Sequence, residues 1–105
     1  MKIVRNIEDE KEVKITLEEI YFIEQTRKGF VVNGEVYPIC TVKSLEELES
    51  LFNWGFCRCH KEYIVNLAYV KEIEEYNFVL TNGQKIPIAK NMYKNVQKEL
   101  LEYIK

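Results

Sequence analysis

Two of the chain's three cysteines and its single histidine share one stretch, Phe56-Cys-Arg-Cys-His-Lys-Glu-Tyr-Ile-Val-Asn66. Cys57, Cys59 and His60 are residue types that ligate zinc or pair as nucleophile and base. Structural zinc requires closely spaced ligand pairs with a second pair elsewhere, and here the C-x-C stands alone. On a strand, moreover, Cys57 and Cys59 point to one face and His60 to the other, so the three cannot converge without a bulge. A Cys/His nucleophile fails on the same geometry, and the chain has no second histidine to serve as a base. The reading left for Cys57 and Cys59 is packing, since free cysteine behaves as a small hydrophobe. The run Glu72, Glu74, Glu75 reads as a solvated strand face, and there is no Gly-rich phosphate loop. Neither a metal site, a cofactor, a small-molecule substrate nor an enzymatic activity is expected.

What remains in the stretch is alternation. Phe56, Arg58 and His60 fall on one side, Cys57, Cys59 and Lys61 on the other, and Tyr63-Ile-Val-Asn66 is apolar enough to anchor the segment. Arg58, His60 and Lys61 form a basic cluster at the end of a buried strand, a set of donors for phosphates or base edges. On spacing alone they read equally as solvated surface around a structural histidine.

The elements that must position this cluster are mostly strands. Asn33-Gly34 and Asn82-Gly83 each stand between β-branched or aromatic runs, which predicts two hairpins with type I′ turns. Ser44-Leu-Glu-Glu47 is a capping box followed by Leu48, Leu51 and Phe52, predicting a short helix near 44–52. Thr16-Leu-Glu-Glu19 is a weaker box that predicts a single turn before a strand at Tyr21–Gln25. Met92, Val96, Leu100 and Ile104 recur every fourth residue and predict a C-terminal helix near 91–104. The fold class is therefore mostly β with peripheral helices.

The 105 residues suffice for one domain, which we place at 12–105, preceded by a charged extension or first strand at 1–11. With 47% apolar and 30% charged residues, the composition is that of an ordinary globular protein. There is no apolar run that could span a bilayer and no secretory signal at the start, so no membrane partner and a cytoplasmic location are expected. Three cysteines, Cys40, Cys57 and Cys59, are an odd number and argue for free thiols. The formal net charge of −2 does not favour a nucleic-acid partner, although the balance shifts from −4 over residues 1–54 (7 Lys/Arg against 11 Asp/Glu) to +2 over residues 55–105 (8 against 6).

Taken in order, Phe56 through Leu67, Val70-Lys-Glu-Ile73 and Leu80-Thr-Asn-Gly-Gln-Lys-Ile-Pro-Ile-Ala-Lys90 resemble the LytTR family of bacterial DNA-binding domains. The resemblance extends to Glu19-Ile-Tyr-Phe-Ile-Glu24 and to Ser44-Leu-Glu-Glu-Leu48, and covers roughly residues 12–105. It implies an elongated stack of small antiparallel sheets that reads double-stranded DNA through loops in successive major grooves. Such domains act in response regulators that control transcription, often on paired direct repeats that admit a homodimer on DNA. Carried over by position, base-reading places fall at Arg27-Lys28-Gly29-Phe30, at Lys61 and at Lys90. Arg58, His60, Asn91 and Lys94 flank them as phosphate-positioning or loop-supporting groups.

Two departures bear on that expectation. Lys90 stands where the family typically has arginine, and lysine lacks the planar fork that suits guanine, so weaker guanine selection is expected. Phe30 lies near a position that carries a polar reader in some relatives, and reads more simply as a hairpin aromatic. The length leaves no room for a receiver domain, so a stand-alone regulator and an excised domain both stay open. The competing expectation is a protein-interaction module of the same fold that has lost DNA binding and pairs with another regulator, motivated by the charge of −2.

Overall fold

The computed structural model describes residues 2–5, 12–35, 39–41 and 55–105. The helix expected near 44–52 lies outside them. Ten strands occur among the described residues: β1 (Lys2–Arg5), β2 (Glu12–Ile15), β3 (Ile20–Thr26), β4 (Gly29–Gly34), β5 (Ile39–Thr41), β6 (Phe56–His60), β7 (Tyr63–Asn66), β8 (Val70–Glu74), β9 (Asn77–Leu80) and β10 (Lys85–Pro87). Among the described residues one α-helix, α1 (Tyr93–Ile104), follows. The strands make three antiparallel sheets: β1-β2, the five-stranded β5-β4-β3-β7-β6, and the three-stranded β10-β9-β8. The molecule is longer than it is wide, 38 by 25 by 25 Å.

The five-stranded sheet is buried on both faces around β3 and β7, which explains their near-continuous apolar runs. Phe22, Val65, Cys57 and Cys59 lie on one face with Phe78, Leu80, Ile86 and Ile88 of the smaller sheet and Val96 of α1. Ile23, Val32 and Ile64 are paired across the ladder on the other face and are also buried. In β6 burial alternates as the sequence suggests, with both cysteines inside and Phe56, Arg58 and His60 half-exposed. The two thiols pack and donate weakly, Cys57 Sγ to Glu99 Oε2 at 3.3 Å and Cys59 Sγ to the Pro87 carbonyl at 3.5 Å. Burial pushes the Cys59 thiol up from 9.0 to about 12, the opposite of what a nucleophile or metal ligand needs.

The turns differ from expectation in an instructive way. Asn33-Gly34 is not a turn: both residues still pair with β3, opposite Phe22 and Ile20. Glycine is required at 34 because a Cβ there would collide with the Glu19 carbonyl oxygen, which accepts a 2.9 Å hydrogen bond from the next amide, Glu35 N. The β4–β5 pairing exists, but the chain reverses after Gly34. Asn82-Gly83 does turn, though not as type I′, since Gly83 has φ 91° while Asn82 stays at negative φ. Gly83 N donates to the Leu80 carbonyl at 2.9 Å and Leu80 N to the Gln84 carbonyl at 2.8 Å, the pattern of a three-residue loop with glycine at its left-handed position. The Asn82 side chain accepts from Gln84 N at 2.9 Å and so fills an Asx role.

Leu17–Glu19 forms a single 3-10 turn, but Thr16 makes no side-chain cap. Asn66, the one buried polar residue among those described, ties the β7 end to the β3 start. Its amide donates to the Leu17 and Ile20 carbonyls at 3.3 and 2.9 Å, and its oxygen accepts from Ala68 N at 3.0 Å. In α1 the buried stripe ends on Tyr103 rather than Ile104, which is 69% exposed. At 3.6 residues per turn, position 103 lies roughly 20° from Val96 around the helix and position 104 roughly 80°.

Candidate nucleic-acid interface

The positions singled out in the sequence come from three separate turns, and strand pairing brings those turns to one end of the five-stranded sheet. The β3–β4 hairpin closes on Arg27 and Lys28, with Thr26 opposite Gly29. Its tip is pinned by the Thr26 hydroxyl, which donates to the Gly29 carbonyl at 2.9 Å and accepts from Lys28 N at 3.3 Å. Gly29 takes φ 132°, a backbone geometry that disfavours any side chain. Both basic side chains are exposed.

The β6–β7 hairpin turns through Lys61 and Glu62. Because Glu24 pairs with Tyr63 in antiparallel register, the residues after Glu24 and before Tyr63 lie at the same end, and Gln25 N donates to the Glu62 carbonyl at 2.9 Å. Two of the singled-out residues brace this turn. Arg58 Nη2 donates to the Lys61 carbonyl at 3.2 Å, and His60 Nδ1 accepts from Glu62 N at 3.1 Å, with its ring edge-on to Tyr63 at 5.6 Å. The Tyr63 hydroxyl donates to Glu24 Oε2 at 3.0 Å; partial burial, then that carboxylate, pushes its ionisation up, so it remains a donor. Lys61 is left exposed at the apex.

The third turn follows β10. Ala89 N donates to the Cys59 carbonyl at 2.8 Å, fastening the small sheet's last residues beside the end of β6. Lys90, Asn91 and Met92 then form a 3-10 turn that leads into α1. Lys90, Asn91 and Lys94 are exposed. From there α1 runs back along β6, with Glu99 at Cys57 and Tyr103 beside Gly55. Only its first turn therefore reaches the basic end, and that turn carries Lys94 and no acidic residue.

The arrangement presents Arg27, Lys28, Lys61 and Lys90 at one end, each backed by a hydrogen-bonded turn. Two of the three turns are two-stranded ribbon tips, narrow enough for a DNA major groove. Phe30 is half-buried within β4 and is a wall of its hairpin rather than part of the tip. The sequence reading missed Tyr76, which occupies the β8–β9 turn and lies under Lys90, with the ammonium 5.6 Å from the ring centroid. Its signal was available: a tyrosine in a turn beside Glu74 and Glu75 has no reason to be buried.

A family profile described as the LytTr DNA-binding domain matches residues 10–101. Among characterised sequences, the chain is 24% identical over 95 residues to the transcriptional regulatory protein BtsR of Escherichia coli K12, covering 82% of this chain and 38% of that protein. It is 36% identical over 50 residues to the sensory transduction protein LytT of Bacillus subtilis, covering 43% of this chain and 21% of LytT. The chain thus spans well under half the length of these relatives. A LytTr DNA-binding domain from Bacillus cereus has the same fold, with a TM-score of 0.82 over 94% of both chains at 23% identity.

Proposed function

Since the chain belongs to the LytTr DNA-binding domain family, we propose that residues 12–105 bind double-stranded DNA sequence-specifically, in the service of transcriptional regulation in the cytoplasm. The observation that carries this reading is the convergence of three turns, distant in sequence, on one basic end of the sheet. Lys28, Lys61 and Lys90 are the base readers, and Arg27, Asn91 and Lys94 meet phosphates. Arg58 and His60 act through the turn they brace. Recognition by loops fits the position of α1, whose length runs along β6 and away from the basic end. Paired direct repeats, each taken by one copy, are the expected target, and no catalytic step is involved.

The net charge of −2 supports a second reading, a protein-interaction module of this fold that pairs with another regulator. Selection from a randomised duplex pool decides between them. An enriched motif whose affinity falls steeply with salt, as neutralised phosphates require, supports the DNA-binding reading. No enrichment at low salt, with a protein partner recovered free of DNA, supports the other.

A further inference from the structure

Lys90 is the only one of the three proposed readers with an aromatic ring against its ammonium, and that ring is held in place more firmly than an exposed side chain needs to be. Tyr76 is 47% exposed, so little of its ring is there for burial. Its carbonyl accepts from Ile88 N at 2.8 Å, its ring meets Tyr93 edge-on at 4.8 Å, and the preceding Glu75 is forced to φ 55° to make the turn. The Lys90 backbone is anchored through Ala89 N on the Cys59 carbonyl, but nothing in the backbone restrains its long side chain. The nearby Lys85 is already paired with Glu74 at 3.4 Å.

We infer that Tyr76 is a positioning residue for Lys90: its ring face holds the ammonium at the basic end and leaves the outward N–H donors available to a base edge. The inference rests on the DNA-binding reading. A ring face attracts a cation through its quadrupole without using up the donors that a carboxylate would take, so the side chain is partly ordered before DNA arrives and less freedom is lost on binding. The phenol oxygen has no part in this, because the ring alone supplies the attraction.

The test compares Tyr76→Phe and Tyr76→Leu. In the free protein, the Lys90 side-chain methylene NMR signals should sit upfield in the wild type and in Tyr76→Phe, and return to ordinary positions in Tyr76→Leu. Binding to the selected duplex should be unchanged in Tyr76→Phe and weaker by about two- to fivefold in Tyr76→Leu, the range that an exposed cation–π contact corresponds to. The loss should fall on the base pair whose discrimination Lys90→Ala removes, and the double variant should bind no worse than Lys90→Ala alone. Additive losses, or a loss spread evenly over the site, would overturn the inference while leaving DNA binding intact. A wild-type chain with no duplex preference would overturn both. An amide spectrum of Tyr76→Leu that matches the wild type away from Tyr93 and Lys90 guards against a folding defect.

Discussion

Lys61 and Lys90 each offer a compact ammonium where a guanidinium would offer a planar, bidentate fork, so single-residue changes at these apices should alter selectivity more than fold. Lys61→Ala and Lys90→Ala are expected to relax preference at two different base pairs, by about 1–3 kcal/mol each if the contacts are good ones. Affinity measurements on a panel of single-base variants of the selected site check this; unchanged preference in both would remove these residues from the reading surface. Cys59 behaves differently because it is sealed in the core. With its thiol pushed up from 9.0 to about 12, the folded protein keeps a proton that the unfolded chain releases. Stability from this group is therefore full below about pH 9 and is lost as pH rises toward about 12. Urea midpoints should fall between about pH 9 and 10, less steeply in Cys59→Ala. Tyr63 and Tyr69, also raised from 10.0, add the same sign only at higher pH.

At the scale of elements, glycines and one buried amide decide how strands enter and leave the sheet. Gly34→Ala forces a Cβ onto the Glu19 carbonyl oxygen, a clash with backbone that cannot rotate away, and should cost more than about 2 kcal/mol. Gly83→Ala meets no atom within 4 Å and bears only the strain of φ 91°, about 1–2 kcal/mol. Denaturation midpoints should rank Gly34→Ala well below Gly83→Ala. Asn66→Ala strips the Ile20 carbonyl of a buried donor and Ala68 N of its acceptor, which should cost about 2–3 kcal/mol by the same measurement. Because β3 carries the Arg27–Lys28 tip and β7 carries Lys61, such losses also loosen the basic end.

Across the whole molecule, a charge of −2 with an opposed basic end means that orientation matters more than total charge. Affinity should depend on salt through the few cations at that end. Arg27→Ala and Lys94→Ala, which remove proposed phosphate contacts, are each expected to reduce the slope of log affinity against log salt by about one. Lys71, at the end of β8 away from the Glu75–Tyr76 turn, and Lys105, past the far end of α1, should leave the slope unchanged when replaced by alanine. Equal effects from all four would mean a diffuse electrostatic attraction with no defined face.

The sequence by itself determined the strand-rich class, the C-terminal helix and the inward pair Cys57 and Cys59, because alternation and helical spacing are local properties of the chain, and the order of its motifs carried the resemblance to the family. Tertiary structure alone decided three other things. It turned Asn33-Gly34 from a turn into a paired strand end, since the need for glycine there comes from Glu19, a residue of another segment. It ended the helix stripe at Tyr103, where Gly55 lies. It also brought Arg27–Lys28, Lys61 and Lys90 to one end and set Tyr76 beneath Lys90, because which turns share an end depends on strand order and register. Those are set by packing between segments far apart in the chain, and no local pattern encodes them.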